Sequence, residues 1–122
     1  MRTPLRVSFQ GTPASPALRR QIVQHVDDLE RFHGRITACH VVLKAPDRHH
    51  RSGGLFEVSI HLALPGGVEA DIDRNPSLDA RLADPLFAIG DAFRRARRRI
   101  QDRIRRQRGD VKTLRRRSPV PD

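Results

Sequence analysis

Leu5, Val7 and Phe9 alternate with Arg6 and Ser8, the period-two pattern of a half-buried strand, and Gly11-Thr12-Pro13 ends it (β1). Ser15-Pro16 then opens a helix, with serine as N-cap and proline at the first helical position. Leu18, Ile22, Val26 and Leu29 recur at helical spacing, and Gly34 is the expected C-cap of this α1, 16–33. Ile36 to Ala45 is rich in β-branched and apolar residues and predicts β2. Phe56, Val58, Ile60, Leu62 and Leu64 alternate with polar or small residues and predict β3. The turn Pro65-Gly66-Gly67 leads into Val68, Ala70 and Ile72, which alternate with Glu69, Asp71 and Asp73 in β4. Arg74 to Ala83 shows no period. Asp84-Pro85 repeats the cap-plus-proline start, and α2 is expected to run to about Arg108, with Gly109 ending it.

The order β-α-β-β-β-α defines an α+β fold. A strand, a helix and a second strand imply a crossover with β1 and β2 in parallel, and two hairpins complete a four-stranded mixed sheet. Each helix has one apolar stripe, so both helices are expected on one face of that sheet. In α2 the stripe is Leu86, Ile89, Phe93, Ala96, Ile100 and Ile104, which fall within about 80° of arc. The 122 residues make one domain, 1–109, followed by a basic tail, 110–122, expected to be disordered.

Charge changes the picture most. Met1 to Asp91 carries 11 Lys/Arg and 11 Asp/Glu, whereas Ala92 to Asp122 carries 13 and 3, so the whole formal charge of +10 lies in the last quarter. Arg94, Arg95, Arg98, Arg99, Arg105 and Arg106 sit opposite the apolar stripe of α2, and no acid occurs between Ala92 and Gln101. A solubilising helix face normally mixes signs, because like charges at i, i+4 repel. A row of guanidinium groups on a rod suits a phosphate backbone, where each contact releases condensed counterions. The pI of about 11.6 agrees. With no Trp and no Tyr, recognition is expected to rest on shape and phosphate contacts.

Other chemistry finds little support. Cys39, His40, His49, His50 and His61 match no zinc spacing, and adjacent Cys39 and His40 point to opposite faces of a strand, so no metal or other cofactor is expected. His49-His50 between Arg48 and Arg51 reads as a basic loop tip. The chain shows no nucleophile elbow, P-loop or HExxH motif, and it is not expected to be an enzyme. No apolar run reaches the roughly 20 residues of a membrane span, and Met1 to Gln10 has no signal-peptide h-region. One cysteine fits a reducing cytoplasm.

Three stretches resemble a known family. "ITACHVVLK" (Ile36 to Lys44) resembles its second strand, and "HHRSGGLFEVSIHLALPGG" (His49 to Gly67) its third strand and closing turn. "DPLFAIGDAFRRARRRIQDRIRRQRGDVK" (Asp84 to Lys112) resembles its final helix. The family is that of the ribosome hibernation-promoting and ribosome-associated inhibitor proteins, also called sigma-54 modulation or S30AE-like proteins, and the likeness spans roughly 5–112. The resemblance implies the same fold and a non-enzymatic stress-response role. Such proteins occupy the messenger and transfer RNA channel of the small ribosomal subunit, inhibit translation and promote hibernation. It further implies that Arg94, Arg95, Arg98, Arg99 and Arg105 of α2, with Arg20 and Arg31 of α1, face the 16S rRNA. Neither a membrane nor a small-molecule substrate is implied, and a cytoplasmic protein that is monomeric when free is expected. Arg74 to Ala83 is longer than the link of the smallest members. The dimerisation domain of the long form is not expected after α2. Two alternatives stand beside this reading: a general module for double-stranded or structured RNA, and a regulator of a protein partner such as sigma-54.

Overall fold

The computed structural model describes residues 3–46, 55–73 and 79–117, with backbone alone for residues 33 and 107–117. Its elements are β1 (Leu5–Gln10), α1 (Pro16–His33), β2 (Ala38–Lys44), β3 (Glu57–Leu64), β4 (Val68–Ile72) and α2 (Pro85–Arg117), with a short 3₁₀ turn at Ala80–Ala83. The basic loop Arg48 to Arg51 lies outside the described residues.

The sheet has the strand order β1-β2-β3-β4. β1 pairs with β2 in parallel, while β2–β3 and β3–β4 are antiparallel. Period-two alternation decides which side chains meet the helices. Cys39, Val41 and Leu43 of β2, Val58, Ile60 and Leu62 of β3, and Ala70 and Ile72 of β4 are all buried. They join Ile22, Val26 and Leu29 of α1 and Ile89, Phe93, Ala96 and Ile100 of α2 in one core. The intervening positions face away from the helices. In register they include Arg6 beside His40, His40 beside His61, and His61 beside Asp71. The β3–β4 half of this open face carries Glu57, Glu69, Asp71 and Asp73.

Local chemistry explains the element ends. The Ser15 hydroxyl accepts from the Leu18 N–H at 3.2 Å, and Pro16 needs no partner for a missing donor. Gly34 ends α1 at φ 80°, and its N–H donates to the Glu30 carbonyl at 2.7 Å. Gly66 and Gly67, at φ 83° and 74°, supply the left-handed geometry of the β3–β4 turn. The Asp84 carboxylate accepts from the Leu86 N–H at 3.0 Å at the start of α2. Thr3, the one buried polar residue among the described residues, places its hydroxyl between the Glu30 carboxylate and the Ile36 carbonyl, the latter 3.2 Å away.

Four details correct the sequence reading. β2 begins at Ala38 rather than Ile36; Ile36 is buried ahead of the strand. Part of the aperiodic stretch before α2 is the 3₁₀ turn, capped by Asp79 and anchored by buried Leu82. Leu86 is 51% exposed, while Ala88 and Ala92 are buried. The buried arc is therefore rotated away from Leu86 toward the two alanines, whose small side chains allow close approach to the neighbouring elements. Finally, α2 passes Gly109 and continues to Arg117. Glycine costs a helix interior only about 1 kcal/mol relative to alanine. Val111 and Leu114 recur seven and ten residues after Ile104 and keep the helical period, a signal that the expectation of a helix end at Gly109 passed over.

Candidate nucleic-acid interface

The phase of α2 sorts its arginines by what lies beside them. Arg98 and Arg105 stand furthest from the buried stripe and are exposed, as are Arg99 and Arg106 on the flank toward β4. Arg95 shares that flank but is held down. Its guanidinium donates to the Asp91 carboxylate at 3.2 Å and to the Asp73 carbonyl at 2.9 Å, which ties α2 to the end of β4. Arg94 is 63% exposed and lies 3.7 Å from Asp91. On α1, Arg20 and Arg31 are exposed on the side opposite the core, and Arg31 pairs with Asp27 at 3.1 Å. Ion pairs on such exposed surfaces hold weakly, so the Arg31 and Arg94 guanidiniums exchange readily between partners. The structure thus brings Arg94, Arg98, Arg99 and Arg105 onto one continuous helix surface. Arg20 and Arg31 form a second, smaller group on α1.

Composition hid a set of aromatic contacts. The Arg97 guanidinium lies 3.6 Å from the centroid of the Phe32 ring. Arg81 and Arg94 both approach Phe87, at 4.6 and 5.5 Å. Arg81 is further fixed by Asp79, whose carboxylate accepts from Nη2 at 2.6 Å; this pairing holds the Asp79 carboxyl down at about 2. His25 stacks on Phe93 with ring centroids 5.0 Å apart and planes 10° from parallel. Arg81, Arg97 and His25 were not among the candidates drawn from the sequence. Arg97 sits at the margin of the helical pattern, and its partner Phe32 is distant in the chain.

His25, Phe93, Arg94 and Arg97 border a cleft of about 160 Å³ between α1 and α2. His25 and Asp28 lie on its α1 wall, and Gly90, Phe93, Arg94 and Arg97 on its α2 wall. Burial lowers the His25 pKa below its ordinary 6.5, against the raising effect of Asp28 and with a smaller lowering by Arg94. On the open sheet face, His61 Nδ1 pairs with Asp71 and Nε2 lies 3.0 Å from Glu69. The hydrogen bond that His61 donates to Asp71 is the main cause of its raised pKa. Cys39 is buried in the core, and its desolvated thiol is pushed up to about 12. Among the described residues no group of three or more His, Cys, Asp or Glu side chains is placed to hold a metal ion, and no helix is long and apolar enough to cross a membrane.

The described residues form a small two-layer α+β domain with arginines concentrated on its helices. The family model for the sigma 54 modulation protein / S30EA ribosomal protein matches residues 5–108, and the chain belongs to that family. Among solved structures it is similar to the N-terminal domain of Thermus thermophilus Protein Y, with 20% identity over 84% of this chain and 98% of that one and a TM-score of 0.56. It is also similar to a ribosomal subunit interface protein from Coxiella burnetii, with 14% identity, 82% and 96% coverage and a TM-score of 0.58. At these identities the two structures share the fold. A comparison with curated proteins finds no match.

Proposed function

We propose that this protein binds the small ribosomal subunit in the channel used by messenger and transfer RNA, inhibits translation there and promotes ribosome hibernation under stress. It acts by occupancy, without catalysing a reaction, in the cytoplasm and as a monomer when free. The observation that carries this reading is the family match over residues 5–108, joined to an arginine surface on α2 that faces away from the core. The physical mechanism is phosphate neutralisation. Arg94, Arg98, Arg99 and Arg105 contact 16S rRNA, and Arg20 and Arg31 extend the contact onto α1. Arg95 contributes partly by fixing the angle of α2 against β4.

Co-sedimentation with ribosomes on a sucrose gradient tests the proposal. The expected result is a peak of this protein with the 30S or 70S particle. Spread over all RNA species would replace it with a general RNA-binding role, and absence from every ribosomal fraction with a protein-directed one.

A further inference from the structure

The cleft between α1 and α2 contains a residue that the fold does not explain. Gly90 lies inside α2, where glycine is the poorest residue after proline. Its φ is not in the left-handed region, and a Cβ built on it meets nothing within 4 Å. Neither backbone geometry nor close packing of the two helices requires glycine here. What its missing side chain leaves is open space in the cleft. Around that space stand the His25 ring stacked on Phe93, and the Arg94 and Arg97 guanidiniums on the α2 wall. Arg97 is fixed in place by its contact with Phe32.

We propose that this cleft is a binding site for a single nucleotide unit, with its base against the partly exposed His25 ring, itself backed by buried Phe93, and its phosphate on Arg94 and Arg97. Size, shape and charge support it. At about 160 Å³ the cleft is roughly half of the smallest ordinary ligand pocket, about 300 Å³, so it suits one planar ring system. Nucleobases stack on aromatic side chains whatever their sequence, and burial disfavours the charged form of the His25 ring. The two walls differ in sign. Asp28 on the α1 wall repels a phosphate and can accept from a base amino group, while the guanidiniums opposite bind the phosphate with charge-assisted hydrogen bonds. The nucleotide therefore has one orientation across the cleft. Its source is an unpaired residue of an RNA strand or a free mononucleotide. In the first case the site rests on the ribosome-binding reading and gives it a contact with a splayed-out base; in the second it stands apart from that reading.

The test uses the full chain, adenosine 5′-monophosphate, adenosine, inorganic phosphate and a single-stranded adenylate 9-mer, followed by NMR of the His25 and Phe93 ring signals. Adenosine monophosphate is expected to shift both rings, and adenosine to bind about tenfold more weakly for want of the charge-assisted contacts. The variant Gly90→Leu is expected to abolish these shifts while its melting temperature holds or rises, because the added side chain enters open space and favours the helix. Competition by the 9-mer at lower concentration than the mononucleotide assigns the site to RNA; the reverse order assigns it to free nucleotide. Ring signals that ignore adenosine monophosphate, equal response to inorganic phosphate, or full binding by a folded Gly90→Leu each overturn the proposal. Ribosome co-sedimentation of Gly90→Leu separates the two readings. If the parent does not sediment with ribosomes but binds the mononucleotide, the cleft survives and the ribosomal role does not.

Discussion

The Arg97 guanidinium lies over the face of the Phe32 ring, 3.6 Å from its centroid, so the last turn of α1 is fastened to the middle of α2 by a contact that crosses solvent-exposed surface. Phe32 is 48% exposed, yet it is not a loose surface aromatic. Cation–π pairs at such exposed sites contribute about 0.5–1 kcal/mol. Phe32→Ala should lower stability by about that amount in urea titration. Phe32→Leu, which keeps an apolar contact but has no ring face, should lose nearly as much. Equal stability of the Leu variant and the parent would assign the contact to packing alone.

Phe93 anchors the same helix from below. It is buried and stacked on His25. Phe93→Ala should cost about 3–5 kcal/mol, and Ile100→Ala about 2–5 kcal/mol. Both should move the denaturant midpoint with little change in slope, because the unfolded chain is the same size. A Phe93→Ala protein that melts with the parent would mean that α2 is not seated on the sheet.

The outward arginines should be dispensable for folding and necessary for binding. Arg98, Arg99 and Arg105 are exposed, and none belongs to the core. Changing the three to Glu should leave the melting temperature within about 2 °C of the parent and remove ribosome association. The parent's log affinity should fall linearly with log salt, with a slope set by the number of phosphates neutralised. A flat salt response would contradict a phosphate-directed surface.

Two histidines should titrate on opposite sides of 6.5. His25 is lowered mainly by burial; His61 is raised mainly by its hydrogen bond with Asp71. A depressed folded pKa makes the His25 contribution to stability complete above about 6.5 and lost as pH falls through the folded value. The raised pKa of His61 does the opposite, being complete below about 6.5 and lost as pH rises through the folded value. NMR titration of the two ring Cε1–H signals should give midpoints in that order. Reversed midpoints would place His25 in water.

Cys39 should be inert in the native state. With its pKa pushed up to about 12, the thiolate needed for alkylation is scarce at pH 8, and the core shields the sulfur. Iodoacetamide should label it only after denaturant is added. Rapid labelling of native protein would show that β2 opens.

The sheet was readable because its strands obey a strict period of two, and β3 keeps that period from Val58 to Leu62. Both helix starts were readable because Ser15-Pro16 and Asp84-Pro85 each state a cap and a first-turn proline side by side. The cleft was not readable in the same way. Its members come from two helices separated in the chain by three strands, and no local period links His25 to Phe93 or Phe32 to Arg97. A composition with five Phe and no Trp or Tyr suggested a surface without stacking partners, but that count says nothing of which rings are brought together. The arginines of α2 were visible as a run. Their separate duties were not, because whether Arg95 reaches solvent or the Asp73 carbonyl depends on where β4 ends.

The acids of β3 and β4 and the arginines of α2 lie on opposite sides of the same thin slab. Such a molecule has a permanent electric dipole across its short axis. In the field of a polyanion that dipole feels a torque before any atom touches, and it turns the helices forward. At physiological salt the field reaches only about 8 Å, so the turning happens in the last instant of approach. A molecule arriving sheet-first is turned, while one arriving helix-first is drawn in. For a polyanion met helix-first, as proposed above, the sheet acts as a keel: its acids favour the orientation in which the helices lead.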